Sequence, residues 1–179
     1  MERTLDMHAP SGRFEERRLV IVLVDLAGFT RAVGHLPVLA IAEIVDWLYT
    51  LCGDRVPLYG GRIVHFMGDG FLAVFESESA ADAVACVVSL RDDVQTMAVA
   101  SGLAVEMGAN VHLATVATGV FGAMSVPTDD VIGMGVIHTN RMGGGAGIRI
   151  SEPVYRKLPS DQRTPWRKHQ PPATYTLEP

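Results

Sequence analysis

The chain has 179 residues and a mass of 19.3 kDa, the size of one domain, able to bury roughly 70% of its unfolded surface without staples. With 48% hydrophobic and 20% charged residues it is not a disordered chain. A net charge of -5 and a pI near 5.6 exclude a general nucleic-acid or anionic-membrane surface, leaving room only for a local basic pocket.

Residues 1–17 are polar and without period, and read as a leader or linker, with the domain proper over 18–179. Glu2, Arg3 and Asp6 stand where a signal peptide would need an apolar run, and the longest strongly apolar run, 19–24, is too short for a bilayer. A soluble, cytoplasmic chain is therefore expected. The run 19–24 is β-branched and unbroken, as in a central strand covered on both faces. Pro37 opens a helix in which Ile41, Ile44, Val45, Leu48 and Leu51 repeat at three and four, closed by Gly60-Gly61.

Residues 62–67 and 71–75 are predicted strands, with Asp69-Gly70 as the tight turn between them. A second helix is expected over 80–98, with Ala83, Val84, Val87, Val88, Arg91 and Val94 as its stripe and Gly102 as its stop. Strands are then expected over 103–109 and 111–116, a turn over 127–130, a short helix over 136–142, and strands over 148–150 and 173–177. Cys52 and Cys86 fall within the helices, where free thiols are inert buried groups and no disulfide framework. This mixture of helices and strands with a tight hairpin predicts an α+β or α/β fold.

Asp25 closes the first strand and Asp69 occupies the hairpin turn. Carboxylates at a strand end and an adjacent turn can converge and hold Mg²⁺ or Mn²⁺ through oxygen, leaving positions free for phosphate. The plain alternative is that Asp69 serves only the turn and Asp25 caps a loop.

The residues around them narrow the choice. Asp25-Leu26-Ala27-Gly28-Phe29-Thr30, Gly60-Gly61-Arg62-Ile63-Val64 and Gly68-Asp69-Gly70-Phe71-Leu72-Ala73-Val74-Phe75 closely resemble the catalytic domain of class III nucleotidyl (adenylate and guanylate) cyclases. Asp130-Val131-Ile132-Gly133 leading to Arg141-Met142, then 150–155 and Tyr175-Thr176-Leu177, are similar to later parts of that family, in the same order. The resemblance implies a ferredoxin-like βαββαβ core with a mixed or antiparallel sheet flanked by helices, acting as a head-to-tail homodimer. It also implies the reaction: two metal ions assist the ribose 3′-hydroxyl of a nucleoside triphosphate in attacking the α-phosphate, giving a 3′,5′-cyclic nucleotide and pyrophosphate. By the same resemblance Asp25 and Asp69 are metal ligands. The amides around Gly28, Phe29 and Thr30 hold phosphate, His65 and Asp130 read the base, and Arg141 stabilises charge on the reacting phosphate.

Three positions depart from the family pattern. His65 stands where adenylate cyclases carry a Lys and guanylate cyclases commonly a Glu, and a neutral imidazole offers one donor and one acceptor. Ile137 replaces an Asn one helical turn before Arg141, which removes an orienting contact; Asn140 is expected to point elsewhere. The C-terminal phosphate-binding Lys has no secure match beyond Arg167 or Lys168. Gly143 to Gly147 lacks the Gly-Lys-Ser/Thr of a P-loop and reads as a mobile or shortened connection. An ionised Asp130 would accept the adenine 6-amino group and repel the guanine 6-oxygen, favouring ATP. The sequence thus predicts a slow cyclase, alone or paired with a different cyclase chain. The alternative is a catalytically degenerate module that binds nucleotide or a partner.

Overall fold

The computed structural model describes residues 12–169 and 174–177. Strand β1 (Phe14–Ala27), the short α1 (Phe29–Val33), α2 (Val38–Leu58), β2 (Arg62–Met67), β3 (Gly70–Glu76), α3 (Ala80–Ser101) and β4 (Glu106–Ala123) give the expected βαββαβ order. They are followed by β5 (Val126–Ile132), α4 (Met134–Asn140), β6 (Gly147–Ser151), α5 (Glu152–Lys157), β7 (Arg167–His169) and β8 (Thr174–Leu177). The strands form one sheet in the order β2-β3-β1-β4-β6-β8-β7, with β5 folded back on the end of β4. Every pairing is antiparallel except that of β4 with β6. The fold is α+β with a mixed sheet flanked by helices.

Strand alternation divides the side chains between two faces. Val20, Val22, Val24 and Leu26 of β1 join Phe71, Ala73 and Phe75 of β3 and Met107, Ala109, Val111 and Leu113 of β4 in one core. Leu48, Cys52 and Val56 of α2 and Val87, Leu90 and Val94 of α3 complete it. Each Val, Leu, Phe or Met side chain among them contributes on the order of 1.5–3 kcal/mol. Leu19 and Ile21 point the other way, packing with Leu72, Val74, Val116 and Val131. There α4 sits so close that a Cβ on Gly135 would lie 2.6 Å from the Ala114 methyl. Both faces of β1 are covered, which is why its sequence is an unbroken apolar run.

Several expectations are corrected. Strand β1 begins at Phe14, so residues 14–17 belong to the sheet and not to a leader; Phe14 stacks on Phe121 and Arg17 pairs with Glu76. The two strands expected over 103–116 are one long β4. Residues 127–130 lie inside β5, where Pro127 is tolerated because an edge strand leaves its amide side unpaired. The α3 stripe includes Leu90 instead of Arg91, and α3 ends at Gly102 in the left-handed conformation (φ 69°). The hairpin turn is Gly68-Asp69, one residue earlier than expected, with the positive φ on Gly68 alone. Gly70 is needed for another reason: a Cβ there would lie 2.1 Å from the Val24 carbonyl oxygen. Position 173 lies outside the described residues. Cys52 and Cys86 are buried, and desolvation pushes both thiols up to about 12, so they are inert. Among the described residues no helix is long and apolar enough to cross a membrane.

Candidate active site

Alternation along β1 places Asp25 on the same face as Ile21 and Leu23, the face of α4 and not that of the helical core. Its cross-strand neighbour on β4 is Gly108. A Cβ at Gly108 would come within 2.5 Å of the Asp25 carboxylate, and one at Gly70 within 3.3 Å of the Asp25 Cα. Glycine on both sides clears room around the carboxylate. Asp69, carried by the hairpin turn, lines the same cavity of about 230 Å³ as Asp25, together with Asn110, Asn140, Gly143 and Gly144. The Asp25 carboxyl is held above the usual carboxylate range, first by desolvation and then by the Asp69 charge, with Arg149 opposing.

Among the described residues no three His, Cys, Asp or Glu side chains gather to hold a metal. Two carboxylates flanked by amide and carbonyl oxygens nevertheless suit a hard divalent cation that keeps some water or phosphate oxygens. A larger cavity, about 510 Å³, includes Gly28 and Arg31 but neither carboxylate.

His65 and Asp130, 65 residues apart in the chain, come together: His65 Nδ1 lies 3.6 Å from Asp130 Oδ1. A β-bulge makes this contact. The register of β2 on β3 shifts between Ile63 and His65, so that His65 pairs with Leu72 on the α4 face. Without the shift it would pair with Phe71, whose side chain belongs to the helical core. Arg62 and Asp129 make a second bridge between β2 and β5 at 2.9 Å, and Asp130 Oδ1 also accepts from the Val131 amide at 2.7 Å.

Arg141 ends α4, exposed, with no side-chain partner among the described residues, and it does not line the carboxylate cavity. Ile137, one turn earlier, is 44% exposed. Asn140 does line the cavity that holds both carboxylates of its own chain. Gly28 takes φ 83° at the entry to α1, and its Cα passes so near Ala104 that a Cβ would be 2.9 Å from that carbonyl. The partly buried Phe29 packs against the core, while Thr30 is exposed. Arg167 and Lys168 lie on β7, at the far edge of the sheet, with Lys168 over the Tyr175 ring.

Sequence reasoning did not single out two polar residues on this face. Asn110 donates to the Gly143 carbonyl at 2.8 Å. Arg149 donates to the carbonyls of Gly144, Gly145, Ala146 and Gly147, clasping the glycine loop into a fixed connection. The available signal was a polar residue alternating with apolar ones inside a strand, Ala109-Asn110-Val111 and Ile148-Arg149-Ile150.

On the same face the His112 ring lies 4.7 Å from that of His138, and its Nδ1 is buried without a partner among the described residues. Desolvation, with a smaller contribution from His138, lowers its pKa from 6.5 to about 4. The native state thus refuses a proton that the unfolded chain accepts. The contribution of this residue to stability is full above pH 6.5 and is lost as the pH drops towards 4. His112→Gln is expected to flatten that part of the profile in urea titrations at stepped pH. Parallel profiles for the two proteins would contradict it.

No protein-family model matches the chain. An adenylate cyclase of Anabaena cylindrica is 26% identical over 160 residues, covering 82% of this chain, which spans only 32% of that longer protein. The crystal structure of the guanylyl cyclase Cya2 superposes with a TM-score of 0.78 at 25% identity, covering 91% of this chain and 92% of that one. The adenylyl cyclase CyaB from P. aeruginosa shares the fold at TM-score 0.80 and 18% identity, covering 93% and 96%. Sequence motifs, strand order and relatives converge: this chain is similar in sequence and fold to the catalytic domains of class III nucleotidyl cyclases.

Proposed function

We propose that this domain is a nucleotidyl cyclase that converts ATP, in preference to GTP, to a 3′,5′-cyclic monophosphate and pyrophosphate, working as a head-to-tail homodimer. The observation that carries the reading is the glycine-cleared cavity lined by Asp25 and Asp69, on the same sheet face as the His65–Asp130 pair. In the reaction the 3′-oxygen bonds to the α-phosphorus as the bond to the β-phosphate bridging oxygen breaks, and the hydroxyl proton passes to water. Asp25 and Asp69 would hold Mg²⁺ or Mn²⁺, which when bound offsets phosphate charge and eases loss of the hydroxyl proton. The amides of Gly28, Phe29 and Thr30 bind phosphate oxygens. Arg141 answers the charge that develops on the reacting phosphate through a planar fork of donors. Its exposure outside the cavity of its own chain fits a guanidinium offered to the carboxylates of a second copy.

His65 and Asp130 together read the base. An ionised Asp130 accepts from the adenine 6-amino group and repels the guanine 6-oxygen. Purified protein with Mg²⁺ or Mn²⁺ is expected to cyclise ATP faster than GTP. Asp130→Asn, which can donate to the guanine oxygen, should narrow that ratio about tenfold, the worth of one hydrogen bond involving a charged group. Equal or better use of GTP by the unmodified protein would overturn the assignment. One observation favours a second reading, a nucleotide- or partner-binding module without turnover: the exposed apolar Ile137 at the position of an orienting polar group. Triphosphate binding with no cyclic product would select it.

A further inference from the structure

Asn110 stands in the middle of β4 between Ala109 and Val111, 8% exposed. Its strand neighbours are Leu23 of β1 and Arg149 of β6, on the face that carries Asp25, and it lines the cavity with Asp25 and Asp69. Chemistry fixes the orientation of its amide. Nδ2 donates to the Gly143 carbonyl, which can only accept, so Oδ1 is the opposite end of the group. That oxygen is enclosed and has no hydrogen-bond partner among the described residues. An unpaired amide oxygen carries a desolvation penalty, and Asn is a poor strand former, so Val or Leu would suit this position better if it served only the fold.

Resting on the reading of this cavity as a divalent-cation site, we infer that Asn110 Oδ1 is its third, neutral oxygen ligand beside the two carboxylates. A neutral donor completes a hard-oxygen set without adding to the repulsion between Asp25 and Asp69, or between them and a triphosphate. The Nδ2 bond to Gly143 holds that oxygen in place, as an outer partner orients a ligand.

Mn²⁺ binding to the nucleotide-free protein, read from the electron paramagnetic resonance signal of the free ion, tests this without turnover. Asn110→Ala should weaken Mn²⁺ about tenfold, whereas Asn110→Asp, which keeps an oxygen and adds a charge, should tighten it about tenfold. Both variants lose the donor to Gly143. A role confined to tethering the glycine loop would therefore weaken both alike, and that result overturns the proposal. Should Asn110→Ala fail to fold, the sign for Asn110→Asp decides: tighter supports the proposal, weaker or unchanged overturns it. Asp25→Asn is the control for the cavity. If it leaves Mn²⁺ binding intact, the cation site itself falls. If it removes binding while the Asn110 variants do not diverge, only the role of Asn110 falls.

Discussion

Asp25→Asn and Asp69→Asn, made singly, are each expected to lower cyclic-nucleotide formation by more than about 10³, because charge neutralisation dominates phosphoryl transfer. Arg141→Ala is expected to lose about as much, as removal of an arginine that meets the transferring phosphate does. The stability effect has the opposite sign for Asp25. Its folded pKa is raised, so the favourable contribution exists below the unfolded value and is lost as pH rises through the folded one. At neutral pH the ionised group is a cost to the fold, and Asp25→Asn should hold or raise the melting temperature while turnover is lost. In a head-to-tail dimer the carboxylates and Arg141 of one site come from different chains. Mixing Asp25→Asn with Arg141→Ala chains at equal amounts should then restore about a quarter of native activity, since half the dimers are mixed and each has one intact site. A mixture as inactive as its components would refute that arrangement. A single carboxylate variant retaining a tenth of native turnover would refute the cation site.

Ile137→Asn is expected to raise kcat by about 10² while leaving triphosphate affinity nearly unchanged, since a contact made chiefly in the transition state acts on the rate. The structure removes the main obstacle to this experiment. Ile137 is 44% exposed on a short helix held to the sheet by Gly135, Val136 and Thr139, so the substitution opens no cavity. A stability change within about 0.5 kcal/mol is expected, as at other surface positions. Ile137 and Arg141 lie one turn apart on α4, so a new amide falls beside the guanidinium. Steady-state kinetics and equilibrium binding on the same preparation check both halves. A folded, nucleotide-binding variant with no gain in rate would favour the non-catalytic module.

The order of elements was legible because each carries its own period: the β-branched run of β1, the three-and-four repeat of α2, and the Gly102 stop of α3. The positions of Asp25, Asp69, His65 and Asp130 along the chain were legible too, through local motifs. Their placement in space was less so. The bulge that turns His65 towards Asp130 depends on how β2 meets β3, and no residue between Ile63 and His65 announces it. Gly70 signalled a turn, yet it is demanded by the close passage of β1. Pro127 and two aspartates signalled another turn, and pairing of β5 along β4 overrode them. Asn110 acts on Gly143, 33 residues away, and a contact of that span leaves no motif.

The strict alternation of β1 also bears on which genetic changes the domain tolerates. Val20, Val22 and Val24 hold the helices, while Leu23 and Asp25 face the cavity and α4, so exchanging one side chain disturbs one of these duties and leaves the other intact. Adding or removing a single residue in the strand transposes both sets together, sending a carboxylate into the helical core and a valine into the cavity. Substitutions can therefore accumulate in β1 one face at a time, whereas a one-codon insertion or deletion there disrupts folding and chemistry in a single step.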